Sequence, residues 1–220
     1  MPQPKIKLYV DIISPFGYIG FHLLQNSPVF KQCEITYTPI LLGGLMKACG
    51  NTPPLNIKNK STWITTERLR WSTYFSIPMS NSAPPNFPIN TLPIQRVLCA
   101  LQIVHPDSLP AALARFWQDF WVDWKDPLKP GNLLSIVAEV LGSEEEARRV
   151  VESTKSEECK KRLSANTEEA FAEGAFGLPY FVATNAKGET ERFWGVDHVG
   201  QLCDFMDLER AGGRGWRALL

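Results

Sequence analysis

Three short stretches, far apart in the chain, carry residues that could bind and activate a small ligand. The first is Ser14-Pro15-Phe16. Pro15 has no N–H to give to a strand ladder, but it suits the first position of a helix, where that donor would be orphaned in any case. Ser14 then falls at the N-cap, with its hydroxyl facing the free N–H groups of the first turn. A helix N-terminus carries positive potential and open donors, so an anion beside Ser14 would meet both a dipole and a hydroxyl. Ser-Pro alone is an ordinary cap; the chemistry needs partners elsewhere.

The second stretch is Gly174-Ala175-Phe176-Gly177-Leu178-Pro179-Tyr180. Proline just before an internal strand is out of place unless it has a task. A cis Leu178–Pro179 bond would turn the N–H and C=O of Leu178 outward, where they can pair with an extended peptide as a short added strand. The plainer alternative is a helix-to-strand turn. The third stretch, Trp194-Gly195-Val196-Asp197, opens the last helix. The backbone N–H groups of Val196 and Asp197 could take a carboxylate, and the Asp197 carboxylate an ammonium, which together fit an α-amino-acid end. Asp197 as a plain N-cap is the competing reading. Asn51 and Lys60, near the entrance to a helical block, are further candidates, with a turn residue and a solvated charge as the alternatives.

The elements that must position these groups follow from periodicity. Lys5 to Ile12 is rich in β-branched and aromatic residues and reads as a strand. A helix over about Pro15–Gln25 and a second strand over Glu34–Leu41 complete a right-handed parallel unit, which Gly43-Gly44 breaks. Helical character then dominates. A helix over about Thr65–Phe75 precedes a proline-rich, extended loop from Ile77 to Pro93. Apolar stripes follow at Ile94, Val97, Leu98, Leu101 and Val104, at Phe116, Phe120, Trp121 and Trp124, and at Leu133, Leu134, Val137, Val140 and Leu141. Ser143 with Glu146 makes a capping box, and a helix over about Glu157–Ala172 closes the block. Tyr180–Thr184 and Thr190–Trp194, joined by turn residues, read as an antiparallel pair, and a last helix spans about Val196–Leu208. The order is β-α-β, helices, β-β-α: an α/β, thioredoxin-like domain (residues 1–44 and 172–220) with a large all-helical insertion (residues 45–171), the DsbA-like arrangement. In that arrangement a cis-proline faces the first helix N-terminus. Ala211-Gly212-Gly213-Arg214-Gly215 looks like a tail.

Composition narrows the function classes. The 220 residues hold 23 Lys and Arg against 23 Asp and Glu, so no electrostatic footprint for nucleic acid or an anionic membrane is present. No apolar run approaches the ~20 residues that span a bilayer, and no signal-peptide core precedes the first strand. The five cysteines are scattered, with no Cys-x-x-Cys pair, so neither a dithiol redox site nor a zinc knuckle is supported. His22, His105 and His198 show no metal-ligand spacing. A reduced, intracellular, metal-free protein is expected.

The chain resembles the kappa-class glutathione transferases, in the DsbA-like branch that also holds 2-hydroxychromene-2-carboxylate isomerases. The resemblance spans Lys5 to Leu208 and is carried by Asp11-Ile12-Ile13-Ser14-Pro15-Phe16, Gly50-Asn51-Thr52-Pro53-Pro54, Gly174-Ala175-Phe176-Gly177-Leu178-Pro179 and Trp194-Gly195-Val196-Asp197. It implies a glutathione site built from Ser14, Pro15, Phe16, Asn51, Lys60, Leu178, Pro179, Val196 and Asp197. It also implies glutathione as co-substrate, a homodimer, and residence in the cytoplasm, mitochondria or peroxisomes. Ser14 stands where related oxidoreductases carry an attacking cysteine. Two positions depart from the family pattern: Val196 replaces a small polar residue and His198 an arginine. Ala218-Leu219-Leu220 only loosely resembles a peroxisomal tripeptide, because Leu219 replaces the basic residue.

The expected reaction needs glutathione as thiolate. A free thiol has a pKa of ~8.5. A helix N-terminus and a donated hydroxyl hydrogen bond together offer roughly 2–3 kcal/mol, enough to bring that value down by about two units. Conjugation to a small apolar electrophile is the leading expectation. Glutathione-dependent isomerisation, in which the thiolate adds and leaves again, uses the same site. A protein that binds glutathione or apolar ligands without turnover is the non-enzymatic alternative. Thiol-disulfide exchange is disfavoured because residue 14 is not cysteine, and no His or Asp near Ser14 in sequence suggests a hydrolase triad.

Overall fold

The computed structural model describes residues 2–209; the glycine-rich stretch 211–215 and the last three residues lie outside them. Strand β1 (Lys5–Val10) is the centre of the sheet's logic. Its alternate residues Ile6, Leu8 and Val10 enter the larger of two apolar cores, while Tyr9 enters the smaller. This two-sided burial is what a strand covered by helices on both faces requires. Helix α1 (Pro15–Asn26) crosses over to β2 (Glu34–Pro39), which pairs parallel to β1 with Lys5 opposite Glu34 and Val10 opposite Pro39. Strand β3 (Tyr180–Thr184) runs antiparallel on the other side of β1, and β4 (Thr190–Trp194) antiparallel to β3, giving the order β2-β1-β3-β4. The turn between β3 and β4 is fixed by Asn185, whose side-chain oxygen accepts from the N–H groups of Lys187 and Glu189.

Between the two halves of the sheet lie α2 (Leu42–Ala48), α3 (Lys60–Tyr74), α4 (Leu92–Val104), α5 (Leu109–Trp117), α6 (Asn132–Leu141), α7 (Glu144–Ser153) and α8 (Glu157–Ala172). The larger core runs from the sheet and Ile19 and Leu23 of α1 into Val97 and Leu98 of α4 and Phe116 and Trp117 of α5. It also takes Val199, Leu202 and Cys203 from the last helix, α9 (Val199–Phe205). The smaller core sets Tyr9 and Tyr180 against Leu45 of α2 and Ala170 of α8. No described helix is long and apolar enough to cross a membrane.

Four local expectations change. Gly43 and Gly44 do not break the chain; they lie inside α2. The helix starts there because the Asp11 carboxylate accepts the Leu42 N–H at 2.8 Å. Helix α3 begins at Lys60, five residues early; only Arg68 and Ser72 along it are buried, so it shows little apolar period to read. Trp124 leaves its stripe: α5 widens into a π turn over Gln118–Val122, and Trp124 follows exposed, with φ +56°. The final helical segment divides into a 3-10 turn, Val196–His198, and the shorter α9.

Candidate functional site

Register decides which segments meet. Tyr9, Tyr180 and Trp194 form one row across β1, β3 and β4. The segments that leave this row, 10–14, 178–179 and 195–197, therefore emerge side by side at one end of the sheet. The three stretches singled out in the sequence are those segments.

Ser14 is 5% exposed and is the N-cap of α1. Its Oγ accepts the Gly17 N–H at 2.9 Å, and its own N–H donates to the Asp11 carbonyl at 3.0 Å. A serine hydroxyl has one donor and two acceptor lone pairs, so capping still leaves the O–H to donate. The cap and the chemistry are compatible. Pro15 is buried at the first helical position, and Phe16 is half-buried against the larger core.

The Leu178–Pro179 bond is cis, as expected. A Cβ on Gly20 would lie 3.1 Å from Pro179 Cβ, so the glycine lets α1 approach this proline closely, two turns from Ser14. Leu178 N–H and C=O have no partner among the described residues, whereas the Pro179 carbonyl accepts from Gly195 N–H at 3.0 Å. That bond ties the third stretch to the second. Gly195 has φ +93°, and a Cβ there would also collide with the Asp197 carboxylate.

Val196 and Asp197 hold the first two positions of the 3-10 turn, and their N–H groups have no acceptor among the described residues. Asp197 is not an N-cap; Gly195 occupies that place, because the turn tightens before α9 begins. The exposed Asp197 carboxylate meets the His198 imidazole at 3.4 Å. The Val196 side chain is 2% exposed and belongs to the larger core, so it points away from any ligand at the turn.

Asn51 is brought to the same end: its Nδ2 donates to the Phe176 carbonyl at 2.8 Å. Lys60 stands exposed at the first position of α3, and no side-chain hydrogen bond or ion pair among the described residues joins it to the others. The five cysteines are all free thiols.

Asp11, Gln95 and Trp121 are parts of this site that the sequence reading did not single out. Asp11 is fully buried, and burial pushes its pKa up to about 6 against hydrogen bonds that lower it. Its Oδ1 accepts from Ile13 N–H at 3.2 Å and Gln95 Nε2 at 3.0 Å. Trp121 Nε1 donates to the Ile12 carbonyl at 2.9 Å, and the Arg68 guanidinium lies 5.4 Å from the Trp121 ring. A signal for Gln95 was available, because it is a polar residue beside Ile94 in the buried stripe of α4. Trp121 of the second apolar stripe is buried in the core, and its buried indole N–H also needs a partner.

A family model, described as a DSBA-like thioredoxin domain, matches residues 5–207. The chain belongs to that family. Among its relatives, human glutathione S-transferase kappa 1 is 28% identical over 211 residues, covering 93% of this chain and 92% of its own. Glutathione S-transferase kappa 2 of Caenorhabditis elegans is 29% identical over 214 residues, covering 94% and 93%. A 2-hydroxychromene-2-carboxylate isomerase structure superposes with a TM-score of 0.72 at 22% identity, covering 92% of this chain and 94% of its own. At that identity the likeness is one of fold.

Proposed function

We propose that this DSBA-like protein binds glutathione and holds its sulfur as thiolate at Ser14 for attack on a small apolar electrophile. The observation that carries the reading is the row Tyr9–Tyr180–Trp194, which sets the buried Ser14 hydroxyl, the unpartnered Leu178 backbone and the Asp197 turn side by side. Each matches one part of the tripeptide. The cysteinyl backbone pairs with Leu178 N–H and C=O beside Pro179. The γ-glutamyl carboxylate takes the N–H groups of Val196 and Asp197, and its ammonium takes the Asp197 carboxylate. Asn51 holds the loop before Leu178 through the Phe176 carbonyl, Lys60 serves the glycine end, and Phe16 lines the apolar side. Similarity to kappa-class transferases over nearly the whole chain supports glutathione as the co-substrate.

The sulfur lies beside the Ser14 hydroxyl and the N-terminus of α1. The donated hydrogen bond and the dipole overlap, so together they supply roughly 2–3 kcal/mol and a fall of about two units in thiol pKa. Ser14 stays protonated throughout; the thiolate attacks, and the electrophile's leaving group departs with its electron pair. Because Val196 faces the core, the glutamyl grip uses backbone N–H groups alone at that position. The chain works as an intracellular homodimer in which residues 45–171 are an inserted helical part that shapes the electrophile pocket.

Turnover of a halonitroarene and of a chromene carboxylate, side by side and with and without glutathione, tests this. Glutathione-dependent conjugation of the halonitroarene is the expected result. Reaction of the chromene carboxylate alone would make the protein an isomerase. Glutathione binding without either reaction would leave a binding protein, and no binding at several millimolar would remove the reading.

A further inference from the structure

We propose that Asp11 is a positioning residue for Ser14: its buried carboxylate gathers donors from Ile13, Leu42 and Gln95 and so fixes the turn that presents the Ser14 hydroxyl. The proposal rests on the reading of Ser14 as the group that stabilises the sulfur.

Every residue of the turn is tied. The Ile12 carbonyl accepts from Trp121 Nε1 at 2.9 Å. Ile13 N–H donates to Asp11 Oδ1 at 3.2 Å, and Ser14 N–H to the Asp11 carbonyl at 3.0 Å. The same carboxylate reaches outward. Oδ2 accepts from Leu42 N–H, the start of α2, at 2.8 Å, and Oδ1 from Gln95 Nε2 of α4 at 3.0 Å. One side chain thus fastens the segment before Ser14 to two separate helices.

The polar groups around the carboxylate are ones it can accept from. It is an acceptor with about four lone-pair sites, and the backbone and amide groups that face it are donors. Asp11 is 0% exposed and makes no ion pair among the described residues. A buried carboxylate without a cation costs stability, which an apolar residue of similar size would not. Burial raises its pKa to about 6, so it is still largely charged at neutral pH. Groups held in this way cluster where function needs them. Because Asp11 has no exposed surface, it acts through the turn and not on the ligand.

A double-mutant cycle tests the proposal on the whole protein, with Asp11→Asn, Ser14→Ala and the pair. The readouts are kcat/KM for a halonitroarene at saturating glutathione and, separately, KM for glutathione. Asp11→Asn should lower kcat/KM about tenfold when Ser14 is present and less than about twofold in the Ser14→Ala background, the non-additivity expected of one residue acting through another. KM for glutathione should stay within about threefold, since Leu178 and Asp197 are untouched. Should Asp11→Asn fail to fold, Gln95→Met removes one donor and leaves the carboxylate; about threefold with Ser14 and no loss without it is then expected. An equal loss in both backgrounds, or none in either, overturns the proposal. Absence of glutathione turnover in the native protein removes the Ser14 reading and this one together, whereas native turnover without coupling removes this one alone.

Discussion

Asn51 donates its side-chain N–H to the carbonyl of Phe176 at 2.8 Å, across 125 residues of sequence. This bond fastens the loop before α3 to the loop before β3, two residues from the unpartnered backbone of Leu178. The Phe176 ring lies 4.9 Å from that of Trp194, and Trp194 Nε1 is 3.0 Å from where a Cβ on Gly177 would sit. The loop is therefore held at Phe176 and Gly177, next to the Leu178 backbone, whose N–H and C=O have no partner among the described residues.

If Asn51 acts through this loop, Asn51→Ala should weaken glutathione and γ-glutamylcysteine equally, by about 0.5–1.5 kcal/mol, the usual worth of one hydrogen bond. Calorimetric titration with both peptides measures it. A loss confined to glutathione would place Asn51 against the glycine that the dipeptide lacks.

Ser14→Ala removes two things. The N-cap bond to Gly17 is lost, at about 1 kcal/mol of stability. The donor to the sulfur is also lost, so the bound thiol pKa should rise by about one to two units, and the pH–rate profile should move to the right. Thiolate absorbance near 240 nm in the binary complex follows that pKa. Reduced stability with an unchanged thiol pKa would leave Ser14 as a cap only.

Asp197→Ala should weaken glutathione binding by about 1.5–3 kcal/mol, the range for a hydrogen bond to a charged group. The carboxylate meets only His198 among the described residues and caps no helix, so the thermal midpoint should hardly move. A lower midpoint with intact binding would make Asp197 a structural residue.

Asp11 also sets a pH dependence of stability. Its folded pKa of about 6 lies above the ordinary value of 3.8, so the folded protein binds the proton more tightly. Its stabilising contribution is full below the unfolded value and is lost as pH rises through about 6. Relative to Asp11→Asn, the native protein should therefore gain roughly 1–2 kcal/mol on going from pH 7.5 to pH 5. Urea midpoints of the two proteins at both pH values give the difference. A native protein that loses ground at pH 5 would show that the carboxylate is held below its ordinary value.

The legible parts of the chain are those whose signal is local. Glu157–Ala172, Tyr180–Thr184 and Thr190–Trp194 carry their period and their end signals within themselves, and each forms the element expected, while the strand expected over Lys5–Ile12 forms but ends two residues early, at Val10. Ser14-Pro15 is a cap written in two residues. One boundary depends on a distant group: α2 begins at Leu42 because a carboxylate 31 residues away accepts its first N–H. The Trp121 indole similarly finds its acceptor 109 residues back, at Ile12.

The sequence by itself determined the order of the elements, the Ser14 cap and the residue types of the three stretches, because hydrophobic period, proline and capping chemistry act over a few positions. Only the tertiary structure decided that Asp197 is no cap, that Val196 turns into the core and that Asn51 latches Phe176. It alone decided that Asp11, buried without a cation, gathers Gln95 from 84 residues away. The reason is physical. A hydrogen-bond donor or acceptor in a sequence has a type but no partner, and the partner is chosen when strand register and helix packing bring distant segments to one end of the sheet.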